Sequence, residues 1–131
     1  MSDGFCSLRL TRRYAASPAA VWSALTEPKS LARWLAAPRA IELCAGGRFE
    51  LELPGGAIVL GRVREVEPQR LMELDWRFGD EQASVVRFEL SADGDGTVLV
   101  LEHRQIEEPA GMAYIARWQG ALQRLGEGVA R

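Results

Sequence analysis

Residues Thr11–Leu35 read TRRYAASPAAVWSALTEPKSLARWL, and the way this stretch folds decides how the rest of the chain is understood. Residues 7–14 alternate, with Leu8, Leu10 and Tyr14 on one face and Arg9, Thr11 and Arg13 on the other, as a half-buried strand does. Arg12 breaks the pattern by falling on the apolar face. Ser17 suits a helix N-cap, and Pro18 suits the first helical position, where its missing N–H costs nothing. The helix this predicts over 18–25 sets Val21, Trp22 and Leu25 on one side. Pro28 stops it and starts a second helix carrying Leu31, Trp34 and Leu35, which Pro38 ends. Both helices are too short to be stable alone, so they must lie on an apolar surface.

From Ile41 the period changes to two. Phe49, Leu51 and Leu53 alternate with Arg48, Glu50 and Glu52, and Gly55-Gly56 turns the chain. A strand over 57–66 places Val59, Gly61, Val63 and Glu65 on one side. The next carries Met72, Leu74, Trp76 and Phe78, and the one after it Val86, Phe88 and Leu90. Asp93-Gly94-Asp95-Gly96 makes a tight hairpin, beyond which Thr97, Leu99, Leu101 and His103 share a face. Consecutive hairpins of this kind predict an antiparallel sheet covered on one side. The cover is the last segment, where Met112, Ile115, Trp118, Leu122, Leu125 and Val129 recur in steps of three and four. With Arg117, Arg124 and Glu127 on the far side, that is an amphipathic helix of about five turns. Gly120, Gly126 and Gly128 each weaken it by about 1 kcal/mol relative to alanine, so its last turn is expected to fray.

The 131 residues read as one α+β domain, with 47% hydrophobic and 26% charged residues and no repeat or linker. Net charge is -2, Lys29 is the single lysine, and the arginines alternate with carboxylates along strands. No basic field is therefore expected for nucleic acid or for a membrane surface. Nothing at the start reads as a secretory signal, and no apolar run reaches the roughly 18 residues needed to span a bilayer. A cytoplasmic protein with Cys6 and Cys44 reduced is expected.

The motifs, taken together, resemble one family. A strand ending at Arg12 and Tyr14 leads into Pro18, Val21-Trp22, Ala24-Leu25-Thr26, Pro28 and Trp34-Leu35. Gly46-Gly47-Arg48-Phe49 follows, then Gly61, Val63, Glu65-Val66, Pro68 and Arg70-Leu71, with Trp76 completing the next strand. Thr97, Leu99, Leu101 and His103, then Trp118, Leu122 and Leu125, close the pattern. In this order and spacing the chain resembles the Activator of Hsp90 ATPase homologue 1-like family of the START-like (helix-grip) superfamily. The resemblance implies a curved antiparallel sheet of six or seven strands wrapped around the C-terminal helix, with a cavity between them. Glu27 stands where the family has aspartate, a better helix cap, and Arg117 stands where glycine is common before the helix tryptophan. A full co-chaperone role is not implied, because the eukaryotic activator uses an additional N-terminal domain to engage Hsp90.

If that cavity exists, Trp34, Phe49, Leu51 and Trp76 are expected to line it, together with Phe88, Leu101, Met112, Ile115 and Trp118. Its polar handles would be His103, Arg12 and Glu65, the last two alternatively forming a buried ion pair with each other. His103 is the sole histidine and has no placed carboxylate or nucleophile beside it, so no catalytic residue is assigned. A cyclase- or dehydratase-like enzyme using His103, as some START-like relatives are, is the alternative, and a chaperone-binding module is a further one. Asp93–Gly96 is not a calcium loop, since the twelfth position is Arg104 rather than glutamate. Two distant cysteines and one histidine give no zinc pattern, and no phosphate loop is present, so neither metal nor cofactor is expected. The expected partner is a hydrophobic small molecule, and a homodimer, where formed, is expected to be weak.

Overall fold

The computed structural model describes residues 4–53, 55–107 and 110–129. In chain order the elements are β1 (Phe5–Tyr14), α1 (Pro18–Thr26), α2 (Pro28–Trp34), β2 (Ala37–Ile41) and β3 (Phe49–Glu52). They continue as β4 (Ile58–Glu67), β5 (Leu71–Phe78), β6 (Ser84–Asp93), β7 (Gly96–Glu107) and α3 (Ala110–Val129). The seven strands form one antiparallel sheet in the order β1-β7-β6-β5-β4-β3-β2. Only the step from β1 to β7 joins strands that are not consecutive, and the chain passes from β1 to β2, at opposite edges of the sheet, through α1 and α2. The concave face carries α3, which packs on β1 and β7 and meets α1 and α2. This is the helix-grip architecture.

Local chemistry sets the elements where the sequence placed them. The Ser17 hydroxyl accepts from the Ala20 amide at 3.2 Å, and Pro18 opens α1. Glu27 precedes α2 without any side-chain cap bond, as expected of the longer acid. The Trp34 indole N–H donates to the Ala24 carbonyl at 2.6 Å, locking α2 onto α1. Asp93 pairs with Gly96 around a two-residue turn, where Gly94 adopts φ 62°, a conformation glycine takes without penalty.

Three features depart from the sequence reading. β2 lies where the pattern showed only the end of a helix; it is an edge strand whose register shifts between Pro38 and Ala40. Proline, which cannot donate to a ladder, is tolerated at such a bulged edge. In β4 the register shifts between Val63 and Glu65, leaving Arg64 as the extra residue. That bulge reverses the parity beyond it and carries Glu65 to the outer face. Finally, α3 stays helical through Gly126 and Gly128. A Cβ at Gly126 would lie 2.9 Å from Cε1 of Tyr14, so the missing side chain lets that ring pack against the helix. The Tyr14 hydroxyl then donates to the Leu122 carbonyl at 2.8 Å, and burial pushes the phenol up to about 12.

Candidate functional site

A cleft of about 680 Å³ opens between α2, α3 and the β3–β5 part of the sheet. Its inner wall is Trp34, Trp76 and Trp118, with Leu35, Leu53 and Phe78 continuing the apolar lining. Trp76 and Trp118 are 5.3 Å apart between ring centroids, and Phe88 sits behind them, edge-on to Trp118 at 5.9 Å and to Trp34 at 6.4 Å. Tyr114, Ala116, Gly120 and Ala121 of α3 form one side. Arg33 of α2 and Arg117 and Arg124 of α3 border the cleft, whose lining contains no carboxylate among the described residues.

His103 lies directly beneath this wall and is fully buried. Its Nδ1 accepts from the Trp118 indole N–H at 3.0 Å. An indole N–H can only donate, so Nδ1 carries the lone pair and the ring proton resides on Nε2. That proton points to Ser84 Oγ at 2.7 Å, and the Ser84 hydroxyl donates onward to the Trp76 carbonyl at 3.1 Å. Both ring nitrogens are thereby committed. Burial pushes the imidazole down to about 3, so it is neutral near pH 7. Tyr114 packs on it at 4.4 Å and donates its hydroxyl to Glu81 at 2.6 Å. Burial, helped by that bond to Glu81, pushes the Tyr114 phenol up, keeping it protonated. A neutral histidine with both nitrogens occupied has no free lone pair to offer a substrate, so His103 is a structural tether.

The structure sorts the expected site residues into distinct places. Trp34, Trp76 and Trp118 line the cleft. Phe49, Leu51, Phe88 and Leu101 are buried in the core behind it. Ile115 is half-buried on another side of α3, and Met112 beside it is 79% exposed, because the buried face of the helix runs through Tyr114, Trp118, Ala121, Leu122 and Leu125 and Met112 is turned away from it. Arg12 keeps its inward parity on β1 opposite Leu99 but donates to the neighbouring Thr11 carbonyl. Glu65, carried outward by the bulge, has a side chain 53% exposed and meets Arg87 at 3.6 Å. Three strands separate β1 from β4, so Arg12 and Glu65 form no pair.

Sequence reasoning missed Tyr114 and the three arginines. Arg117 and Arg124 read as the solvent side of the helix; in three dimensions that flank becomes the wall of the cleft. The usable signal was Arg117 standing where glycine is common.

On the outer face, Glu73 accepts from Arg87 at 3.0 Å and Arg104 at 3.2 Å, and meets Arg64 at 3.3 Å. Burial opposes ionisation of Glu73, but the hydrogen bonds from Arg87 and Arg104 outweigh it and hold the carboxyl below its usual range. Among the described residues no cluster of His, Cys, Asp or Glu could hold a metal, and no helix is long and apolar enough to cross a membrane.

Known structures share this fold. CalU16 from Micromonospora echinospora is 34% identical, with a TM-score of 0.82 over 95% of this chain and 76% of that one. CV1439 from Chromobacterium violaceum is 24% identical, with a TM-score of 0.86 over 95% of this chain and 97% of that one. DynU16, a protein in the dynemicin biosynthetic locus, is 22% identical, with a TM-score of 0.85 over 96% of this chain and 47% of that one. A comparison with curated proteins found no match. The family model described as Activator of Hsp90 ATPase homolog 1-like protein matches residues 15–130, and the chain belongs to that family, within the START-like helix-grip superfamily.

Proposed function

We propose that this protein is a small-molecule binding module that takes a compact, largely apolar ligand into the cleft between α2, α3 and the sheet. The observation that carries the reading is a cleft of about 680 Å³ walled by three of the four tryptophans. Ligand sites typically occupy about 300–1,000 Å³ and combine apolar walls with a few polar groups. Indole faces favour flat, polarisable ligands that stack or meet them edge-on. The reading needs no cofactor and assigns no catalytic step, because the one imidazole at the site is held by Trp118 and Ser84.

Native mass spectrometry of gently purified protein, followed by organic extraction, tests this directly. A retained apolar compound is the expected result, released when Ala116→Trp places a ring across the exposed side of the cleft. An unladen mass, together with no thermal shift or tryptophan quenching across a broad library of apolar compounds, would overturn the reading.

A further inference from the structure

We infer that the ligand of this cleft is a planar, mostly apolar molecule with an oxygen acceptor at its buried end and an anionic group at its exposed end. This rests on the binding reading above and adds the chemistry of the occupant.

The buried end is marked by Trp76. Two of the three indoles in the wall have protein partners, Trp34 on the Ala24 carbonyl and Trp118 on His103. The Trp76 Nε1–H is buried and has no hydrogen-bond partner. The neighbouring Tyr114 hydroxyl oxygen is near enough for a weak interaction with this N–H that tends to lower the phenol, but it does not reach hydrogen-bond geometry. A buried donor without an acceptor is uncommon in native proteins, because the lost hydration is not replaced. A ligand carbonyl, ether or phenol oxygen entering between Trp76 and Tyr114 supplies the acceptor after a small movement of those rings.

The exposed end is marked by Arg33, Arg117 and Arg124. None of them makes an ion pair among the described residues. Arg33 and Arg124 use only Nε, on the Lys29 carbonyl at 3.4 Å and the Trp34 carbonyl at 3.2 Å. Arg117 stacks on the Phe78 ring at 4.5 Å. Among the described residues, the terminal nitrogens of all three therefore have no hydrogen-bond or ion-pair partner. Arg117 and Arg124 stand two turns apart on α3, and Gly120 between them leaves room for the Arg124 guanidinium, whose Nη1 lies 3.3 Å from where a Cβ would be. The nearby Glu81 carboxylate is taken up by the Tyr114 hydroxyl. In a chain of net charge -2, this is a local positive rim on an apolar cleft. A cationic ligand would be repelled there, and a pure hydrocarbon would leave both the indole and the guanidinium groups unanswered.

Three probes separate the parts: 9-fluorenone-2-carboxylate carries both groups, fluorene-2-carboxylate lacks the carbonyl, and 9-fluorenone lacks the anion. Affinities are read by tryptophan quenching. The probe with both groups is expected to bind at least about fivefold tighter than either of the others. Trp76→Phe is expected to erase its advantage over fluorene-2-carboxylate alone. Arg117→Gln with Arg124→Gln is expected to erase its advantage over 9-fluorenone alone, whereas the corresponding lysine pair retains most of it. Added salt should weaken only the two carboxylates. Equal affinity for all three probes would overturn this inference and leave the binding reading standing. Failure of every probe to quench, in protein that also carries nothing by native mass spectrometry, would overturn both. The wild-type comparisons decide the matter even where a variant does not fold.

Discussion

On the outer face of the sheet, Glu73 is surrounded by Arg64, Arg87 and Arg104, and Arg87 also reaches Glu65 and Glu89. Across the cleft on the other side, among the described residues, Arg33, Arg117 and Arg124 face no carboxylate in the lining and one buried indole N–H has no partner. Both regions are rich in arginine, so composition does not separate them. They differ in closure. The outer network satisfies itself, as a folding element must when its central acid is nearly buried. The cleft leaves donors open, and its lining offers no carboxylate among the described residues to close them. Where polar groups go unanswered inside an otherwise consistent fold, the rule they break points to a function.

The contrast can be broken or sharpened in four ways. The largest effect is expected from Trp118→Ala, which removes a core ring and also the donor that fixes His103. A loss of about 3–5 kcal/mol should appear in chemical denaturation. Acid is next. The folded imidazole titrates at about 3, below its unfolded value near 6.5, so the unfolded state binds the proton first. Stability is therefore fully present above about pH 6.5 and should fall by about 2 kcal/mol on going to pH 5. His103→Gln should flatten that slope if it folds, and an unchanged slope would exclude this histidine as its source.

Glu73→Gln follows, with an expected cost of roughly 1–2 kcal/mol, because it leaves three guanidinium groups without their shared acid. Its contribution has the carboxylate sign. The folded value is depressed, so the stabilisation is present above the unfolded range near pH 4 and is lost as pH falls through the folded value. The smallest effect is expected from Arg117→Gln, within roughly 0.5 kcal/mol of the parent, since that side chain closes no network. A destabilisation as large as that of Glu73→Gln would mean the cleft arginines serve folding after all.

Much of the fold was legible because each element announces itself locally. Ser17-Pro18 and Pro28 punctuate the two helices, Asp93–Gly96 makes its hairpin, and the alternation from Met72 to Phe78 survives intact in β5. What stayed hidden depends on partners distant in sequence. β2 spans only Ala37–Ile41, contains Pro38, and is a strand chiefly because β3 lies beside it. The bulge at Arg64 shows in no residue pattern, yet it alone moves Glu65 to the other face. The cleft was half visible. Its tryptophans follow from strand parity at Trp76 and from the apolar helix faces at Trp34 and Trp118, but its arginines belong to the flanks of α2 and α3, which a two-faced reading of a helix assigns to solvent. Met112 shows the converse error, an apolar residue that the three-residue step to Ile115 assigns to the stripe but that is turned away from the face buried through Tyr114, Trp118 and Leu122.

The chain of hydrogen bonds from Trp118 through His103 and Ser84 to Trp76 has a further consequence. The proton on Nε2 sits between buried groups and exchanges with water only when the interior opens. This protein therefore carries one imidazole N–H resonance that should stand downfield and sharp in water. Its decay in heavy water is a clock for the opening of the cleft wall, readable without a label or a substitution.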